Sequence, residues 1–137
     1  MAALPIVVVL NGLNPYLGLK TETSWAMFSN LRTEGGLSNH WFVPTGIQMF
    51  EYQRDLVELV EVSDRGLQDV ANHGLLIPYF EIRRKPWMAI AYRENGDVQR
   101  FNTVADDPRY PGEIPWLLKK TLSFRPVASA LHQPCVH

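Results

Sequence analysis

The spacing of apolar and polar positions changes several times along these 137 residues, and each change predicts a new element. The chain starts with a run that has almost no polar position: residues 2–13 read Ala-Ala-Leu-Pro-Ile-Val-Val-Val-Leu-Asn-Gly-Leu. Three valines in a row favour extended chain. Ile6, Val7, Val8, Val9 and Leu10 are therefore expected to form a buried strand. The second reading of the same five residues is an apolar surface segment, covered only when copies of the chain associate. Residues 11–20 hold Gly12, Pro15 and Gly18 among leucines and a tyrosine, and read as irregular but packed chain.

Thr21 can cap a helix in which Trp25, Phe28 and Leu31 recur at spacing three, with Gly35-Gly36 as its left-handed stop. Residues 39–43, aromatic and closed by Pro44, read as a short strand. Residues 55–62 fit both periods; Leu56, Val60 and Val62 on one face of a strand is the preferred reading. Ser63 or Asp64 then caps a short helix with Leu67, Val70 and Ala71 inward, ending at Gly74. A further short helix is expected over 78–84, with Pro78 at its first position and Pro86 beyond its end.

The strongest local signal is Glu94-Asn95-Gly96-Asp97 between two apolar–polar alternations, 87–93 and 98–104. Asn and Gly both accept positive φ at low cost, so a type I′ hairpin is predicted. In that register Ile90 faces Phe101, and Met88 and Tyr92 share the core side. Residues 105–112 read as a loop. Pro115 opens a last helix over 116–122, with Lys119 and Lys120 near its C-terminus, where cations are favoured. The segment from Phe124 to His137 has no periodicity and is expected to fray at its end.

These elements sum to an α+β fold: a small, mainly antiparallel sheet with short packed helices. The expected division is an apolar segment 1–13, one globular domain 14–126 and a tail 127–137. Length agrees, since 137 residues suit a single domain. A composition 46% hydrophobic and 20% charged is that of a folded chain. The net charge of −1 gives no support to nucleic-acid binding, whose affinity rests on neutralising phosphates. The apolar N-terminal run is shorter than the roughly 20 residues of a membrane span. No Lys or Arg precedes it as in a signal peptide. A single cysteine excludes an intramolecular disulfide and fits a reducing, cytoplasmic compartment.

Candidate chemistry is thin. His132, Cys135 and His137 are soft metal ligands within six residues, but lie on the expected tail, so no metal or cofactor is assigned. Asp106 and Asp107, with Glu113, could act as an acid–base pair or hold a cation; Asp before Pro is equally ordinary turn chemistry. His40 could be a catalytic histidine only with an orienting carboxylate, for which Glu34 and Asp55 are the candidates. Arg83, Arg84, Lys85, Arg93 and Arg100 could form a basic stripe for an anionic headgroup, or simply a solvated face. Trp25, Trp41, Tyr79 and Trp87 are the aromatics that could line a ligand pocket.

Residues 16–20 (Tyr-Leu-Gly-Leu-Lys) and 26–36 (Ala-Met-Phe-Ser-Asn-Leu-Arg-Thr-Glu-Gly-Gly) carry a resemblance. It continues through 77–84, the hairpin, and 115–126. The chain resembles the C-terminal, extramembrane part of uncharacterised bacterial multi-pass membrane proteins distantly similar to the vitamin K-dependent γ-carboxylase-like family. The resemblance implies that residues 4–13 are the end of a last membrane helix and that the rest is an accessory domain, stand-alone or truncated, on a mobile gene. It implies membrane-peripheral attachment without a spanning segment. It transfers no activity and no site residue, because the chemistry of such proteins would lie in the membrane part.

Three functions are therefore expected, in this order. The first is a non-enzymatic interaction module, a dimer or tetramer or the partner of another protein, with residues 6–10 at the interface. The second is a small-molecule binding domain with an aromatic-lined pocket, and the third a small enzyme using His40 or the Asp106–Asp107 loop.

Overall fold

The computed structural model describes residues 3–14, 16, 17, 19, 33–36 and 48–128. The fold is α+β, as the pattern predicts: one four-stranded antiparallel sheet with short helices. Strands β1 (Leu56–Val62), β2 (Leu76–Pro78), β3 (Ile90–Glu94) and β4 (Asp97–Phe101) lie in the order β2-β1-β3-β4. Residues 21–32 of the predicted helix, with Trp25, and the strand over 39–43, with His40 and Trp41, fall outside the described residues, as do His132, Cys135 and His137.

The hairpin forms where its turn places it. Asn95 and Gly96 hold φ of 51° and 94°, the left-handed pair that a type I′ turn requires. Ile90 pairs with Phe101, the predicted register. The strands are shorter than the alternation suggests, and Trp87 stands before β3. β4 forms the exposed edge; Asp97, Gln99 and Arg100 place polar side chains along it.

β1 is a strand, but its buried face is not Leu56, Val60 and Val62. The register shifts between Leu59 and Glu61 in the pairing with β3. This bulge puts Val57, Leu59 and Val62 in the core, where strict alternation would have buried Glu61. Glu58 and Glu61 instead reach the open face and pair with Arg93 and Arg100.

Helix α2 (Arg65–Asn72) starts at Asp64, whose carboxylate accepts the Leu67 N–H at 3.2 Å. It ends before Gly74 (φ 60°) and lays Leu67, Val70 and Ala71 on the core. Pro78 is not the first helical residue. It closes β2 and directly precedes helix α3 (Tyr79–Arg83). α3 serves two cores: Tyr79 and Ile82 join the sheet's cluster with Ile90 and Tyr92, while Phe80 joins Ile114, Leu122 and Phe124. Helix α4 (Trp116–Thr121) follows Pro115 as predicted. Arg84 ties it down by donating to the carbonyls of Lys119 and Leu122 at its C-terminus.

Beyond α4 the chain stays packed: Phe124 and Val127 are buried, and Val127 pairs with Leu76 beside β2. The N-terminal run is a helix, α1 (Ala3–Leu13), and not a strand. It is not buried in the domain either: Ile6, Val7, Val9 and Leu10 are 57–61% exposed, and Val8 is 39% exposed. A strand can satisfy its backbone only beside another strand, whereas a helix satisfies its own. This segment pairs with no strand of the sheet.

Candidate functional site

The chemistry-bearing residues separate into a buried network, a set of surface ion pairs, and one small cavity. The network centres on Asp107, 4% exposed. One carboxylate oxygen accepts the hydroxyls of Tyr79 (2.6 Å) and Tyr92 (2.9 Å); the other accepts the Arg109 N–H (2.8 Å), an Asx turn. Arg109 lies over both tyrosine rings, 4.7 and 5.7 Å from their centroids. It also bonds both oxygens of Asp55 at 2.6 Å and reaches Glu94. This one knot ties together the entry to β1, the end of β3, α3 and the loop after β4.

The titration of these groups indicates architecture. Burial first, and then the hydrogen bond to Asp107, pushes the Tyr92 phenol up to about 12 and the Tyr79 phenol further in the same direction. A phenol recruited as nucleophile or base would need the opposite shift. Burial alone would make Arg109 easier to deprotonate, but its bonds to Asp55 more than offset that and hold it charged. Asp106 does not join Asp107. It faces Thr103, accepting that residue's N–H and hydroxyl in a capping box. The two carboxylates proposed as partners of His40 are both held by arginines: Asp55 by Arg109, Glu34 by Arg125. Among the described residues, no group of three His, Cys, Asp or Glu side chains could hold a metal ion.

The basic stripe does not form a continuous surface. Arg84 pairs with Glu81, Lys85 with Asp64, Arg93 with Glu58 and Arg100 with Glu61. The bond to Lys85 is the main reason the Asp64 carboxyl lies below its usual range. Arg83 differs from its neighbours: among the described residues no carboxylate pairs with it, and its Nη2 donates to the Gly112 carbonyl at 3.1 Å.

Arg83 lines a cavity of about 80 Å³ with Trp87, Tyr110, Glu113 and Lys119. Two buried side-chain atoms among the described residues have no hydrogen-bond partner, Arg83 Nε and Tyr110 Oη, and both residues belong to this wall. Trp87 stands at it 69% exposed, with Lys119 Nζ 5.8 Å from its ring centre. Of the aromatics expected to line a pocket, Trp87 is therefore at a cavity, whereas Tyr79 is a core residue bonded to Asp107. Tyr110 was not singled out by the sequence, and nothing in Arg109-Tyr110-Pro111 marks it.

A shallower groove of about 300 Å³ crosses the open face of the sheet over Ala91, between Glu61 and Arg100. Its charged walls are already paired with each other. No helix among the described residues is long and apolar enough to cross a membrane. No protein-family model, curated protein or solved structure matches the chain.

Proposed function

We propose that this chain is a non-enzymatic interaction module that self-associates through α1. The observation that carries the reading is the distribution of apolar residues around that helix. Residues advance about 100° each, so Ile6, Val7, Val8, Val9 and Leu10 together cover its whole circumference, and all five are exposed. A helix apolar on every side belongs in an interior. One partner covers only one side, so a bundle of α1 helices from several copies suits it better than a pair.

The absence of a polar face also supports a second reading. A helix lying flat on a bilayer keeps one charged side in water, and α1 has none. Entering the bilayer end-on covers it on all sides, and its 11 residues, roughly 16 Å, reach about half-way through the hydrocarbon. The resemblance to a membrane-protein tail favours this placement.

Light scattering after size exclusion without detergent, on the intact chain and on Val7→Lys/Leu10→Lys, tests the first reading. The intact chain is expected as a discrete oligomer, tetramer before dimer, and the double variant as a monomer. An intact chain that is already monomeric, or a variant that stays oligomeric, overturns it. A monomer that floats with neutral phosphatidylcholine vesicles only when α1 is unsubstituted would establish the second reading in its place.

A further inference from the structure

We propose that the cavity lined by Arg83, Trp87, Tyr110, Glu113 and Lys119 is a binding site for the phosphate group of a small anion or a lipid headgroup. The inference is independent of α1 and rests on unmet hydrogen-bonding capacity. A buried polar atom without a partner costs free energy, so native folds leave few of them. Among the described residues two such side-chain atoms are found, and both residues that carry them line this one cavity. Arg83 Nε is a donor, and Tyr110 Oη can donate by rotation about its C–O bond. The bond from Arg83 Nη2 to the Gly112 carbonyl holds the guanidinium at the wall of the cavity.

The charges select the ligand class. Arg83 and Lys119 bring two cations to the wall, and among the described residues neither has a carboxylate partner. An oxyanion satisfies both by charge-assisted bonds. The two stranded donors, covered by their own side chains, reach it through a small shift of the Arg83 and Tyr110 side chains. Glu113 lines the same cavity and its carboxylate forms no bond within the described residues. A bare oxyanion such as sulfate would meet that carboxylate with nothing to offer it. Inorganic phosphate keeps a proton at neutral pH, and a phosphate monoester, whose second pKa is about 6, takes one up at little cost, so either can donate a hydrogen bond to Glu113. The volume admits a phosphoryl group and not a whole metabolite, so the remainder of the molecule projects past Trp87. Outside the cavity, Trp116 and Leu117 are 70% and 55% exposed, with Lys120 over the Trp116 ring. Tryptophan beside lysine suits the headgroup level of a bilayer, so a phosphate borne on a lipid is one of the two sources to distinguish.

The test uses the full chain, Arg83→Gln and Tyr110→Phe. Calorimetric titration is done with inorganic phosphate, glycerol 3-phosphate and sulfate. Flotation is done with phosphatidylcholine vesicles with and without phosphatidic acid. Wild type is expected to bind phosphate or its monoester more tightly than sulfate, about tenfold weaker in Tyr110→Phe and about a hundredfold weaker in Arg83→Gln. Tyr110→Phe removes a hydroxyl that bonds nothing among the described residues, so without ligand its melting temperature should be unchanged or higher, which separates loss of binding from loss of fold. Binding of the free anions that both variants weaken establishes the site with a soluble ligand. Extra flotation on phosphatidic acid that both variants abolish, with no binding of free anions, establishes it with a lipid headgroup. Binding that neither variant changes, no binding to any probe, or sulfate held as tightly as phosphate overturns the proposal.

Discussion

Replacing Asp107 by alanine is expected to lower the unfolding free energy by about 3–5 kcal/mol, because it strands two buried tyrosine hydroxyls at once. Each loses its acceptor at roughly 1–3 kcal/mol, and the Arg109 N–H loses the bond that shapes its turn. Against a total stability of roughly 5–15 kcal/mol this is a large share. Urea unfolding measures it directly. The loss should not be additive with the partners: Tyr79→Phe/Tyr92→Phe/Asp107→Leu removes donors and acceptor together and should recover most of it. A single Asp107→Ala variant within about 0.5 kcal/mol of wild type would show that this knot does not hold the domain together.

The same knot predicts an alkaline limit. The unfolded tyrosine titrates near its ordinary value of 10, while folded Tyr92 holds its proton to about 12 and Tyr79 beyond that. Between those values the unfolded chain has released protons that the folded chain retains. The stabilisation is complete below pH 10 and is lost as pH rises towards 12, by about 2–3 kcal/mol for Tyr92 alone. Unfolding free energies measured from pH 9 to 12 should fall across that window in wild type and fall less in Tyr92→Phe. A flat wild-type profile would contradict the buried, hydrogen-bonded phenol.

What could be read in the sequence was local. Asn95-Gly96 fixes the hairpin and its register within four residues, and Asp64 caps α2 within three, so both were legible. Tyr92 was placed correctly on the core side, and a buried tyrosine demands an acceptor, but nothing in the linear order shows that Asp107 supplies it. The β1 bulge was hidden for a related reason: period-two counting cannot see an extra residue, and Glu61 leaves the core only because the pairing shifts. At α1 propensity misled. Val7, Val8 and Val9 favour strand by a margin that context easily reverses, and here no sheet edge receives them. The cavity was illegible because its walls come from residues 83 on α3, 119 on α4, and 87, 110 and 113 in the chain between them, brought together only by the fold.

The widest separation in sequence carries the second large effect. Glu34 is fully buried, and its carboxylate accepts the Thr33 N–H and the Arg125 Nε–H, each at 3.1 Å, across 91 residues. The surroundings are polar but specific: Thr33 Oγ1 donates to buried Gln53, whose carbonyl accepts the Gly35 N–H, and Gln48 donates to the Thr33 carbonyl. Gly35 and Gly36 both hold positive φ, near 74°, which lets the chain turn tightly around this carboxylate. Arg125→Met keeps the length of the side chain but leaves a buried charge without its counter-ion, a loss of about 3–5 kcal/mol. Since a paired buried charge adds little over a well-packed apolar pair, Glu34→Leu/Arg125→Met should unfold at a urea concentration much nearer wild type than Arg125→Met does. If the double variant is no better than the single one, the contribution of Arg125 lies in its other contacts and not in the charge of Glu34. If the rescue succeeds, an ion pair joins the turn at residues 34–36 to the chain beyond α4, so the two ends of the described domain fold as one cooperative unit.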